Sequence, residues 1–334
     1  MMTEQTIEGI RQRYIDGLKP LFLPDDPVSN DIVRYFASLL RIVGMEDHGW
    51  DPYLESRAGL EDLNSILKMD LPDECFSNKQ LTQWRMGLLL YSHIVEMDAP
   101  YEVITNLLRF RMGKGYSPNP FYMFLKTKEK NNTRRAPLSP LRKIKIIRSL
   151  ASDAKLSIAE IFDDFYDNRL RNAIVHSDYI LTAEEFRCRS GTGSVGAFTI
   201  PLDTLNMMIT KSKIFISSFF YLDIAARKCW GVKKHQSVPY DPQYKGILEV
   251  IVDDADLMCG FKIHWPNNSE SVYKRTSGGV DMTNCMLDFA NANIQFNVGS
   301  YARNPGTFSP LVESGGEPIY TKLECTGETP VWNL

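Results

Sequence analysis

The chain is poor in the residues that most often carry chemistry. Histidine occurs five times and cysteine six times in 334 residues. The cysteines (Cys75, Cys188, Cys229, Cys259, Cys285 and Cys325) are scattered and form no C-x-x-C pair, which speaks against a structural zinc site. A disulfide scaffold is not expected either. The chain is large, and its opening, MMTEQTIEGIRQRY, has no apolar run of signal-peptide type, so reduced thiols and a cytoplasmic location are expected. Long hydrophobic runs are missing as well. The most apolar stretch, Ile214 to Ala226, is too short to span a bilayer and carries Asp223, so no membrane association is expected. No internal repeat is visible. A hydrophobic content of 43% and a charged content of 24% are ordinary for a globular chain, and the length suffices for two domains.

Acidic residues are almost absent from one segment. Between Val103 and Leu150 twelve Lys or Arg face a single acid, Glu129, about +11 within a chain whose net charge is −3. A basic band on an otherwise acidic protein points to a polyanionic partner.

The first two thirds read as helical. Apolar residues recur at helical spacing over Ile7–Leu21, Asp31–Val43, Tyr53–Met69, Lys79–Met97, Tyr101–Met112, Leu141–Ala151 and Ile158–His176. Leu181 to Asp203 reads as a β-hairpin around a Gly-rich turn. A long helix, Leu205–Trp230, is apolar on most faces and so belongs at the centre of a bundle. Beyond Trp230, "ILEVIVDD", "FKIHW", "IQFNVGSY" and "PIYTKLECT" read as short strands. The expected organisation is a helical N-terminal region (1–77), a helical bundle with a basic loop and a hairpin (78–232), and a smaller β-rich C-terminal domain (246–334).

Gly113 to Pro140 reads as a long basic loop around a short helix, and with the residues just before it carries cations interleaved with aromatic residues. Arg109, Arg111, Lys114, Lys126, Lys128, Lys130, Arg134 and Arg135 alternate with Phe110, Tyr116, Phe121, Tyr122 and Phe124. Cations that track a backbone and rings that stack on bases are what single-stranded RNA binding needs. A solvated face over core aromatics is the alternative. Gly191 to Gly196 matches G-x-G-x-x-G, but a strand follows where a dinucleotide fold needs a helix, so a flexible turn is expected. Asp253, Asp254 and Asp256 read as a polar turn rather than a metal site, and His93 as a core histidine.

The most informative stretch is Arg169-Leu170-Arg171-Asn172-Ala173-Ile174-Val175-His176-Ser177-Asp178-Tyr179. Arg171 offers a planar fork of donors that keeps its charge, and His176 an imidazole able to exchange protons near neutral pH. Asn172 and His176, four apart, share a helical face. Arg171 and His176, five apart, lie roughly 140° around a continuous helix, so either the arginine bends round or the last turn loosens. A cation, an amide and an imidazole so grouped can grip a phosphodiester and move its protons. Arg169 is a further candidate phosphate contact.

Written RLRNAIVHSDY, this stretch resembles the signature of the HEPN superfamily, helical-bundle proteins of which many cut RNA. The helix order over residues 78–232 is similar too. Some members carry a tyrosine two residues beyond the histidine, where this chain has Asp178, with Tyr179 next. The resemblance implies a mainly α, HEPN-like antiparallel bundle and a homodimer whose cleft joins two copies of the motif. It also implies a metal-independent endoribonuclease site of Arg171, Asn172 and His176 that needs no cofactor. By the same resemblance, a role in antiphage defence or a toxin–antitoxin system is expected, with an antitoxin or activator protein as a further partner. A non-catalytic module that binds RNA or protein is the second expectation, because many such domains lack activity.

Overall fold

The computed structural model describes residues 4–25, 32–42, 52–72, 75–126, 138–189, 196–234, 238–240, 246–265, 269–276, 279–288 and 295–298. They form a helix-rich chain with a separate antiparallel sheet region in its C-terminal part. Two compact units emerge, and neither is a continuous piece of sequence. The first comprises Met1–Leu18, Pro52–Tyr101 and Pro137–Phe220; the second comprises Lys19–Asp51, Glu102–Ala136 and Tyr221–Leu334. The helices α1 (Glu4–Phe22), α5 (Asp98–Arg111) and α9 (Leu202–Gly231) each contribute to both.

In the first unit, α3 (Pro52–Ile66), α4 (Lys79–Glu96) and α6 (Pro140–Asp153) follow the predicted periodicity to within a few residues. Asn78 caps α4, its Oδ1 accepting the Leu81 N–H at 2.9 Å. Tyr91, Tyr101, Phe162, Phe165 and Phe215 form the core, all fully buried. The Phe165 and Phe215 rings stack 5.0 Å apart.

Ile158–His176 is not one helix, contrary to its periodicity. It divides into α7 (Ala159–Asp163) and α8 (Asn168–Val175). The cause lies on α4. The buried Tyr91 hydroxyl donates to the Phe165 carbonyl at 2.9 Å and accepts the Asp167 N–H at 3.2 Å, taking up backbone groups that a continuous helix would pair internally. Asp167 then restarts the helix as its N-cap, accepting the N–H groups of Arg169 (2.7 Å) and Leu170 (3.3 Å). The predicted hairpin gains a strand. β1 (Tyr179–Leu181), β2 (Glu185–Cys188) and β3 (Phe198–Pro201) form an antiparallel meander, while most of the Gly-rich turn lies outside the described residues.

In the second unit, β4 (Val238–Tyr240), β5 (Gly246–Val252), β6 (Met258–His264), β7 (Glu270–Thr276) and β8 (Gly279–Thr283) make a five-stranded antiparallel sheet in sequence order. A two-stranded pair, β9 (Cys285–Asp288) and β10 (Gln295–Val298), accompanies it. Alternation sends Leu248, Val250, Phe261, Ile263 and Tyr273 to the buried face. Gly260 allows the close approach of β7, since a Cβ there would lie 2.2 Å from the Tyr273 carbonyl oxygen. The helix α2 (Ile32–Leu40) buries nearly every residue, and its Phe36 meets Trp230 edge-on at 4.8 Å. The strand expected at "PIYTKLECT" lies outside the described residues.

Candidate functional site

The motif occupies α8 and the turn that ends it. Leu170, Ala173 and Ile174 anchor α8 in the core of the first unit, so Arg171 and Asn172 are left half-buried and Val175 and His176 exposed. The helix stops in a Schellman arrangement. Asp178 N–H reaches the Ala173 carbonyl at 2.9 Å, and Ser177 N–H reaches that of Ile174 at 3.0 Å. Ser177 takes the left-handed conformation, with φ 54°, that glycine usually supplies at this place. His176 is the C-cap, already outside helical geometry at φ −88°, ψ 1°. Of the two ways to bring Arg171 towards His176, a bent arginine or a loosened last turn, the backbone shows only that helical geometry ends at His176.

Arg171 is held from two sides. Its Nε donates to the Glu96 carboxylate at the end of α4, and its Nη1 donates to Asn172 Oδ1 at 2.9 Å. Its Nη2 has no partner among the described residues. The side chains of Arg171 and Glu96 are 18% and 35% exposed, so the pair sits at the surface rather than sealed inside. The Glu96 carboxylate holds the Arg171 guanidinium above its ordinary range against the opposing effect of burial. Close by, burial pushes the Tyr166 phenol up to about 12, an effect that Arg171 opposes and Glu96 reinforces. Asn172 thus orients the guanidinium, and its side-chain amide nitrogen is left over for other work.

His176 stands out among the histidines. His93 lies 3.1 Å from the Ser56 carbonyl oxygen, and His264 lies between Glu249 (2.9 Å) and Glu270 (3.1 Å). Of the three described histidines only His176 has no hydrogen-bond partner for its ring among the described residues. Asp178 is buried and pairs with Arg189 at 2.8 Å, while the Tyr179 ring stacks on Phe186 at 4.9 Å. Neither side chain is free for the motif.

The remaining candidates disperse. Arg169 pairs with Asp167 at 3.0 Å and lies over the Phe198 ring. Arg109 is buried, with Nε and Nη2 both donating to the Gly115 carbonyl, so it shapes the start of the basic loop. The aromatic part of the stacking expectation is corrected: Phe110, Tyr116, Phe121 and Tyr122 are buried core residues, and Tyr116 donates to the Ile42 carbonyl. The reason is apolar demand, because these rings supply core to the second unit. Arg111, Lys114 and Lys126 are exposed, whereas Lys128, Lys130, Arg134 and Arg135 lie outside the described residues. Asp253 is a turn former, its Oδ1 accepting the N–H groups of Ala255 and Leu257 at 3.0 Å each.

Sequence reasoning missed Glu96, Tyr91 and Tyr166. All three are ordinary helix or turn residues far in sequence from their partners in the motif, or too generic in type to flag. No family model, curated protein or solved structure matches the chain. Among the described residues no helix is long and apolar enough to cross a membrane, and no group of three metal-ligating side chains occurs.

Proposed function

We propose that the protein is a HEPN-type endoribonuclease that cuts RNA without metal, by attack of a 2′-hydroxyl on the adjacent phosphate. The observation that carries the reading is a contrast at the end of α8: a guanidinium fixed by Glu96 and Asn172, followed by an exposed imidazole with no hydrogen-bond partner among the described residues. His93 and His264, by contrast, each have a partner.

The chemistry follows from these groups. A base takes the 2′-hydroxyl proton, the 2′-oxygen bonds to phosphorus, and the bond to the 5′-oxygen breaks as an acid protonates it. The products are a 2′,3′-cyclic phosphate and a 5′-hydroxyl. Arg171 Nη2 neutralises the crowded phosphate oxygens, where preorganised charge counts most. His176 moves the proton, and one imidazole per chain makes a homodimer with two facing copies the natural active form. Arg169, in the same unit as Arg171 and His176, is assigned to the RNA backbone. A cytoplasmic role in antiphage defence or a toxin–antitoxin pair fits such an activity.

Purified protein, alone and with extract of infected cells to supply an activator, should be incubated with RNA in EDTA. Fragments ending in 2′,3′-cyclic phosphate, and resistance of 2′-O-methyl RNA, are expected. RNA left intact in both conditions but retarded on a gel would instead identify a non-catalytic RNA-binding module.

A further inference from the structure

A cavity of about 410 Å³ lies within the first unit, walled by α1, α3, α4 and α9. That volume is within the range of small-ligand sites. Its walls are mainly apolar, supplied by Ile7, Leu60, Leu90, Ile94, Ile214 and Phe220. Set into this apolar lining are two ammonium groups, Lys68 and Lys213, and neither has an ion-pair partner among the described residues. The one carboxylate in the lining, Glu61, is engaged by Arg57 at 3.0 Å, and the Arg57 guanidinium lies 4.9 Å from the centre of the Phe220 ring.

Lys213 is half-buried, and burial first, Lys68 second, hold its ammonium below the ordinary range. Lys213 is thus partly desolvated beside a like charge, the exposed Lys68, and a bound anion relieves both effects. A further polar group is unused: Asn64 Oδ1 is buried in the cavity wall with no hydrogen-bond partner. A carboxylate has no proton to give this acceptor, so Asn64 Oδ1 marks a polar point in the cavity wall and takes no part in choosing the head group. Thr210 and Lys213 also border a neighbouring polar cleft formed with Gln80, Gln83, Trp84 and Asn206. Lys213 therefore stands where the apolar cavity gives way to polar surroundings.

We infer that this cavity binds an anionic amphiphile, an acyl chain among Ile7, Leu60, Ile94, Ile214 and Phe220 with its carboxylate between Lys68 and Lys213. The charge pattern selects the head group, since a neutral or cationic head leaves both lysines unpaired. The site is independent of the nuclease reading and stands or falls separately from it.

The test is calorimetric titration of the full chain with sodium decanoate, with decanol and decylammonium as neutral and cationic controls. Saturable binding of one decanoate per chain is expected, at least about tenfold tighter than either control. Lys68→Gln with Lys213→Gln should weaken decanoate at least about tenfold and leave decanol unchanged. Lys68 is exposed and Lys213 half-exposed, so the double variant should keep the wild-type melting temperature; if it does not, Lys68→Gln alone must show part of the loss. No saturable binding up to about 1 mM, or equal affinity in the variants, overturns the inference. So does flotation with phosphatidylglycerol vesicles in the absence of decanoate uptake, which would mark the lysines as a surface patch for a membrane.

Discussion

At the residue scale, His176 and Arg171 should separate activity from stability. His176 is exposed and its ring has no partner among the described residues, so His176→Ala should change the unfolding free energy by less than about 0.5 kcal/mol. Arg171→Ala removes a half-exposed ion pair and should cost about 0.5–1 kcal/mol after solvent screening. Urea denaturation checks both, and equal destabilisation by the two would mean that the imidazole has a structural task. Ser177 gives a third handle. At φ 54° a serine is strained where a glycine is not, so Ser177→Gly should stabilise the fold by about 0.5–1 kcal/mol. A loss of stability would show that the Ser177 side chain compensates for its backbone. The candidate residues of the motif could be read from the sequence because they sit within six positions. Glu96 could not, being 75 residues from Arg171 and one of many helical glutamates.

At the element scale, the break before α8 depends on two side chains. Asp167→Ala removes the N-cap and should cost about 1 kcal/mol. Tyr91→Phe leaves the Phe165 carbonyl and the Asp167 N–H short of a buried partner, at a cost of about 1–3 kcal/mol. Amide exchange should report faster opening of residues 164–170 in both variants, and unchanged exchange there would place the cause of the break elsewhere. Helix periodicity located most helices to within a few residues, because one buried stripe per helix is a local signal. It failed at Ile158–His176, where the apolar spacing continues across the break and the hydroxyl that creates it belongs to α4. The aromatics of Phe110–Tyr122 left two readings open: burial and base stacking demand the same side chains, and the fold decides for burial.

At the scale of the whole molecule, the two units were not legible in the sequence, because each is assembled from three stretches and long helices pass through both. A change of composition after Trp230 marks the sheet region but says nothing of the helices that share its unit. Burial also sets an alkaline limit on the fold. It pushes the Cys285 thiol up to about 12 from an ordinary 9.0, and the Tyr166 phenol to about 12 from 10.0. Once pH exceeds the ordinary values, the unfolded chain releases these protons while the folded chain keeps them. The stability they contribute is therefore complete below about pH 9 and falls progressively towards pH 12. Urea midpoints taken across that window should decline, and a flat profile would show that these groups ionise freely in the folded protein.

The most direct test is the rate at which His176→Ala cuts RNA that the wild-type protein cuts, both in EDTA and at matched melting temperature. A loss of at least about a hundredfold, the scale of a general acid–base group, is predicted. Wild-type cleavage by the variant would contradict the assignment of His176 as the proton carrier.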